Sequence, residues 1–88
     1  MKTFKLELVW RDGAAPARDV TFLDVPAEDG RLTVLAGHQP AVCLLKAGRV
    51  FIDAAEGTRE TWTVAGGTLC VTREVTTILT SRAERQDS

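Results

Sequence analysis

Near the N-terminus, apolar and polar side chains trade places with a period of two. Phe4, Leu6, Leu8 and Trp10 alternate with Lys5, Glu7 and Val9, as in a half-buried β-strand. Asp12-Gly13-Ala14-Ala15-Pro16 reads as a turn. A second strand is predicted from near Asp19 to Val25. Its alternation slips between Phe22 and Leu23, which points to a bulge or to burial on both faces. Pro26 has no N–H to give to a ladder, so it ends that strand or sits at its edge. Glu28-Asp29-Gly30 is a loop, Leu32 to Leu35 a short strand, and Gly37-His38-Gln39-Pro40 a further break. Val42 to Lys46 forms a strand closed by Ala47-Gly48. Arg49 to Ala54 and Thr58 to Ala65 make a hairpin about Ala55-Glu56-Gly57. Gly66-Gly67 is the next turn, and a tight Arg73-Glu74 link joins strands at Thr68 to Thr72 and Val75 to Thr80. No segment carries an amphipathic helical stripe. Short strands at this spacing predict an all-β sandwich or barrel over residues 1–82, with residues 83–88 as a frayed C-terminal tail.

Composition narrows what such a domain does. The chain has 88 residues, of which 44% are hydrophobic, enough for a packed core and too many for a disordered chain. Net charge is −1, so there is no basic surplus to hold a phosphate backbone, and no nucleic-acid partner is expected. The longest apolar runs, such as Ala41 to Leu45, fall far short of the ~20 residues of a membrane span. No direct membrane insertion is expected, and the charged N-terminus does not have the form of a secretory signal. Cys43 and Cys70 lie among apolar neighbours without metal-ligand spacing and read as buried, reduced thiols.

The sequence is poor in catalytic groupings. His38 is its one histidine, so a metal site would lack further ligands. Gly66-Gly67 lacks the lysine and the spacing of a phosphate loop. Glu28 and Asp29 are adjacent acids, which diverge in a turn and so read as a solvated loop. No catalytic residue, cofactor or metal is expected. Trp10 and Trp62 could stack single-stranded bases on a small β-barrel, which makes an adaptor or oligonucleotide-binding module the alternative function.

The stretch Val-Pro-Ala-Glu-Asp-Gly-Arg-Leu-Thr-Val-Leu-Ala-Gly-His-Gln-Pro-Ala-Val-Cys-Leu-Leu-Lys-Ala-Gly, from Val25 to Gly48, resembles the epsilon subunit of F-type ATP synthases. The shared pattern is an acidic-Gly loop, a short strand, Gly-His-x-Pro, an apolar run and a closing glycine. Ala65-Gly66-Gly67-Thr68-Leu69-Cys70-Val71 and Val75-Thr76-Thr77-Ile78-Leu79 match two later family segments in the same order. Arg31 departs from the pattern, standing where the family often has glutamate. Ala36, Gln39 and Thr33 replace the usual proline, alanine and glycine.

The resemblance implies a flattened ten-stranded β-sandwich at the foot of the central stalk. There it packs one face on the gamma subunit and rests loops on the polar loops of the c-ring. It implies a mechanical part without chemistry, peripheral at the cytoplasmic face of a bacterial inner membrane. Trp10, Glu28, Asp29, Arg31 and His38 are the implied interface residues. Gly30, Gly37, Gly48, Gly66 and Gly67 are expected to shape the backbone. Many family members continue into two inhibitory helices. This sequence stops at Ser88, so helix-extension inhibition and ATP binding are not expected. Away from its partners, the isolated chain is open to self-association through an exposed apolar patch.

Overall fold

The computed structural model describes residues 2–86. Every element among them is a strand: β1 (Phe4–Trp10), β2 (Gly13–Ala27), β3 (Gly30–Val34), β4 (Ala41–Ala54), β5 (Arg59–Val71), β6 (Thr76–Leu79) and β7 (Ala83–Gln86). β1, β6, β5, β4 and β2 pair in that order, and β1 pairs back onto β2, closing the sheet into a barrel-like sandwich of 30 × 29 × 23 Å. β3 extends β2 at one edge and β7 pairs with β5. All pairings are antiparallel except β1 with β6. That parallel contact joins the two ends of the chain, and local periodicity cannot foresee it.

Alternation decides which side chains go inside. Leu6 and Leu8 of β1, Leu23 and Val25 of β2, Val50 and Ile52 of β4, Leu69 of β5 and Ile78 of β6 meet in one core. The slip seen near Phe22 is a register shift between β2 and β4, located between Val20 and Phe22. It returns Leu23 and Val25 to the inside.

Several expected breaks do not end strands. The first turn is Arg11-Asp12, and Gly13 to Pro16 already belong to β2. Pro26 lies inside β2, where the ladder to β4 skips from Asp24 to Ala27, so its missing N–H costs no bond. Ala47-Gly48 and Gly66-Gly67 lie within β4 and β5, which pair continuously from Ala41–Val71 to Asp53–Arg59 except at Lys46 and Gly66. β2, β4 and β5 are each long enough to serve both layers, and counting their halves separately gives the expected ten strands.

Gly66-Gly67 is therefore a kink in a strand, not a turn. Both residues have positive φ, and a Cβ on Gly67 would overlap the Leu79 carbonyl oxygen. Only glycine lets β6 end that close to β5. On the far side of this kink β5 changes partner, from β6 at 68–71 to β7 at 61–64.

The tail corrects the sequence reading. Ala83 to Gln86 do not fray but pair with Val64 to Thr61, and Ala83 joins the core. The segment has no apolar stripe for a helix, yet one buried alanine and a free strand edge suffice for a strand. Residues 87–88 lie outside the described residues.

Candidate partner-docking surface

Because directly paired residues share a face, the registers define the outer surface of the β4–β5–β6–β1 layer. One row is Val42, Cys70, Thr77 and Glu7; the next is Leu44, Thr68, Leu79 and Val9. Val42 is 70% exposed, Leu44 57% and Leu79 50%. Glu7 accepts a 2.9 Å hydrogen bond from Thr77 Oγ1, which removes one of the few polar side chains from competition. These two rows hold three large exposed aliphatic side chains and no cation.

The outer surface of the other half is unlike it. Asp24, Phe51 and Thr61 form one row, and Phe22, Asp53 and Arg59 the next. Arg31 lies over Phe51, 5.3 Å from its ring centroid, and Arg59 over Phe22 at 5.1 Å. Arg59 Nε and Nη2 donate to the two Asp53 oxygens at 2.6 and 2.9 Å. That carboxylate holds its proton less tightly than usual, because Arg59 hydrogen-bonds its charged form. Each guanidinium is thus paired and stacked within the chain, so this face satisfies itself.

The implied interface residues divide between these surroundings. Glu28 and Asp29 are exposed at the β2–β3 tip, and Glu28 N donates to Leu44 O at 3.1 Å, placing the tip beside the apolar face. His38 sits in the β3–β4 loop, where its N donates to Leu35 O at 3.1 Å. Its Nδ1 lies 2.8 Å from Gln39 O, and with a carbonyl as partner that nitrogen must carry the hydrogen. The loop runs directly into Ala41 and Val42 of the apolar face.

Arg31 and Trp10 lie elsewhere. Arg31 braces the polar face through Asp24 Oδ1 at 3.2 Å and Arg49 O at 2.9 Å. Trp10 is half-buried against Trp62, with centroids 5.8 Å apart, and a Cβ on Gly13 would come within 2.8 Å of its ring. Gly30 and Gly37 have positive φ, whereas Gly48 has none and instead lies against Pro26, 3.2 Å from where a Cβ would stand.

The interior holds one ionic cluster that the sequence did not single out. Glu60 is only 6% exposed and accepts from Arg18 Nη1 at 2.6 Å, Arg18 Nη2 at 2.7 Å and Trp62 Nε1 at 3.0 Å. Arg85 of β7 stands 3.8 Å away. The Arg18 hydrogen bonds above all hold the Glu60 carboxyl down at about 2 against an ordinary 4.5. The cluster fixes β2, β5 and β7 together.

The thiols are free but half-buried, which corrects the expectation that they are buried. Cys43 packs against the core and Cys70 shares the outer row with Val42. Successive strand positions face opposite ways, and these two fall one register step apart. Among the described residues no group of His, Cys, Asp and Glu could hold a metal. No helix among them is long and apolar enough to cross a membrane.

Reading from sequence missed Val42, Leu44 and Leu79. The available signal was the run Ala41 to Leu45, where apolar residues occupy both faces of one strand. Such a strand belongs between two covered layers, yet here one face is open.

The family model for the beta-sandwich domain of the ATP synthase Delta/Epsilon chain matches residues 3–86. The ATP synthase epsilon chain of Bacillus pumilus is 41% identical over 99% of this chain and 66% of its own length. That of Bordetella petrii is 35% identical over 97% of this chain and 60% of its own. The chain thus spans less than two thirds of either relative. Among solved structures, a chain of the Euglena gracilis mitochondrial ATP synthase (OSCP/F1/c-ring) superposes with TM-score 0.89 at 25% identity, covering 94% of this chain and 53% of that one. The chain belongs to the family of ATP synthase delta/epsilon-chain β-sandwich domains.

Proposed function

We propose that this chain is the epsilon subunit of an F-type ATP synthase, a non-catalytic rotor part of the central stalk. It fastens the gamma subunit to the polar loops of the c-ring while proton or sodium flow drives ATP synthesis, or while ATP drives ion pumping. It works at the cytoplasmic face of the bacterial inner membrane, held there by its partners. In support, its family relatives are epsilon chains, and a solved neighbour comes from an assembly of ATP synthase with its c-ring.

The observation that carries the reading is the open aliphatic face of Val42, Leu44 and Leu79 on a closed, densely packed sandwich. Full burial of one such side chain is worth about 1.5–3 kcal/mol. A gamma surface laid across this layer would remove all three from water at once. Packed cores deform little, so torque entering at that face would reach the loop tips without slip. Glu28 and Asp29 at the β2–β3 tip are the groups we assign to the ring loops. His38 lies on the gamma side, and Arg31 and Trp10 act mainly in shaping the subunit.

The oligonucleotide-binding alternative loses its platform. Trp62 is buried and Trp10 is half-buried against it, so the two rings do not form a pair of open stacking faces.

The test is co-purification with tagged gamma subunit from the same organism. Wild type should form a one-to-one complex. Leu44→Asp should weaken it about 30-fold or more, the loss of one buried leucine, while Arg59→Glu on the polar face leaves it unchanged. No association at micromolar concentration sinks the rotor reading.

A further inference from the structure

β7 closes one layer of the sandwich and pairs with β5 on one side only. The space around it is open. A cleft of about 410 Å³ separates Trp10, Arg11 and Asp12 from the segment 81–84. A second, of about 200 Å³, lies against Arg82 and Glu84. An unpaired strand edge is a template for another strand.

The backbone phase of this edge is fixed. Ala65 N donates to Arg82 O at 3.1 Å, one step beyond the Val64–Ala83 pair. Hydrogen-bonded and non-hydrogen-bonded pairs alternate along an antiparallel ladder. Arg82 and Glu84 therefore turn their backbone groups towards β5, and Ala83 between them turns its N–H and C=O to the open edge. The Ala83 side chain is buried, whereas those of Arg82 and Glu84 are exposed. Neither of these two charges has an ion-pair partner among the described residues.

Charge and phase together select the occupant. A strand laid antiparallel on β7 must offer an acid to Arg82 and, two positions along, a base to Glu84. β7 carries that pattern itself. With a second copy turned about a twofold axis through Ala83, Ala83 faces Ala83, Arg82 faces Glu84 and Glu84 faces Arg82. The outward N–H and C=O of each Ala83 then meet those of the other copy as a hydrogen-bonded pair. The flanking 82–84 pairs are of the non-hydrogen-bonded kind, in which side chains stand closest. An axis through Arg82, Glu84 or Arg85 sets like charges directly opposite, which is destabilising. Only the register through Ala83 satisfies both backbone and charge.

We infer that β7 is a self-pairing edge, which joins two copies of this chain through Ala83 with an Arg82–Glu84 ion pair on either side of the axis. A closed twofold contact occupies the edge of both copies, so pairing stops at the dimer. The layer that β7 ends continues across the axis into its copy. The aliphatic face of Val42, Leu44 and Leu79 lies on the other layer and stays open. The inference concerns the chain alone and stands apart from the rotor reading.

Sedimentation equilibrium of the full chain tests it. The near-ultraviolet circular dichroism of the Trp10–Trp62 pair checks that each variant is folded. Wild type should dimerise with a Kd of about 0.1–1 mM, as fits so small a contact, and added salt should weaken it. Arg82→Glu and Glu84→Arg each set like charges opposite on both sides of the axis, and each should raise Kd at least about fivefold. Mixed in equal amounts, the two variants should pair with each other about as tightly as wild type with itself, since each supplies the charge the other lacks. The double variant Arg82→Glu/Glu84→Arg should recover wild-type behaviour. Leu44→Asp separates the edge from the aliphatic face and should leave the dimer intact. A wild type that stays monomeric at about 1 mM, or one whose dimer survives either charge reversal within twofold, overturns the self-pairing edge. Loss of such a charge-insensitive dimer in Leu44→Asp would assign the contact to the aliphatic face instead.

Discussion

Replacing Glu60 by glutamine removes one charge from the interior and little volume. In the wild type that carboxylate takes two Arg18 hydrogen bonds and one from Trp62. Breaking a buried ion pair by removing one partner costs about 3–5 kcal/mol when both groups are enclosed. Here the Arg18 side chain is 35% exposed and glutamine still offers Trp62 an acceptor, so about 2–3 kcal/mol is expected. Linkage gives a matching figure. A carboxyl held at about 2 when folded, against 4.5 ordinarily, stabilises the fold by about 3 kcal/mol at neutral pH. Because the folded value is the depressed one, that stability is fully present above pH 4.5 and drains away as pH falls towards 2. Urea unfolding followed by tryptophan fluorescence at several pH values tests both statements. At pH 7 Glu60→Gln should unfold about 2–3 kcal/mol more easily, or about 10–20 °C lower in Tm. At pH 2 the two proteins should agree within about 0.5 kcal/mol. A gap of under 0.5 kcal/mol at pH 7, or one that persists undiminished at pH 2, would refute the assigned role of the ion pair.

Three further outcomes follow from the same geometry. Gly67→Ala should destabilise by more than about 3 kcal/mol, since its Cβ meets the Leu79 carbonyl. Gly30→Ala, with similar positive φ but nothing within 4 Å, should lose only about 1–2 kcal/mol. Comparable urea midpoints for the two would show that crowding is not what fixes Gly67. Burial raises the Cys43 thiol above its ordinary value, so at pH 7.5 iodoacetamide should label it about tenfold more slowly in the folded chain than in urea. Equal rates would contradict its packing. Deleting residues 83–88 should lower stability by about 2–4 kcal/mol through lost ladder bonds. An unchanged urea midpoint would restore the frayed-tail reading.

Alternation alone points to an all-β fold, because burial follows a period of two along β1. What it could not carry is where strands stop. Glycine pairs read as turns since most are, yet Gly66-Gly67 answers a tertiary demand: the approach of Leu79, a residue twelve positions on. β7 was missed for a related reason. A short polar segment becomes a strand only when an edge, here the 61–64 stretch of β5, stands ready to receive it. The implied interface residues met the same limit. Glu28, Asp29 and His38 lie at the border of the apolar face because their loops lead there. Arg31 has its charge taken up by Asp24, a partner seven residues away whose proximity depends on the β2–β3 register.

β4 shows how one strand can hold both kinds of surface. Before the break at Lys46 its outward residues are Val42 and Leu44, with no charged partner across the ladder. After it they are Arg49, Phe51 and Asp53, each tied into the Arg31 or Arg59 bracing. A free-standing domain gains nothing from leaving the first half bare, since exposed valine and leucine cost solubility and invite self-association. It would gain equally little from bracing the second half if a partner covered that too. The asymmetry is explained if one layer is completed by another subunit and the other faces water. On that reading the kink at Lys46 and Gly66 is the line along which the subunit's attached half meets its solvent half. A charge placed at Val42 should then cost assembly, while a charge placed at Thr61 should cost nothing.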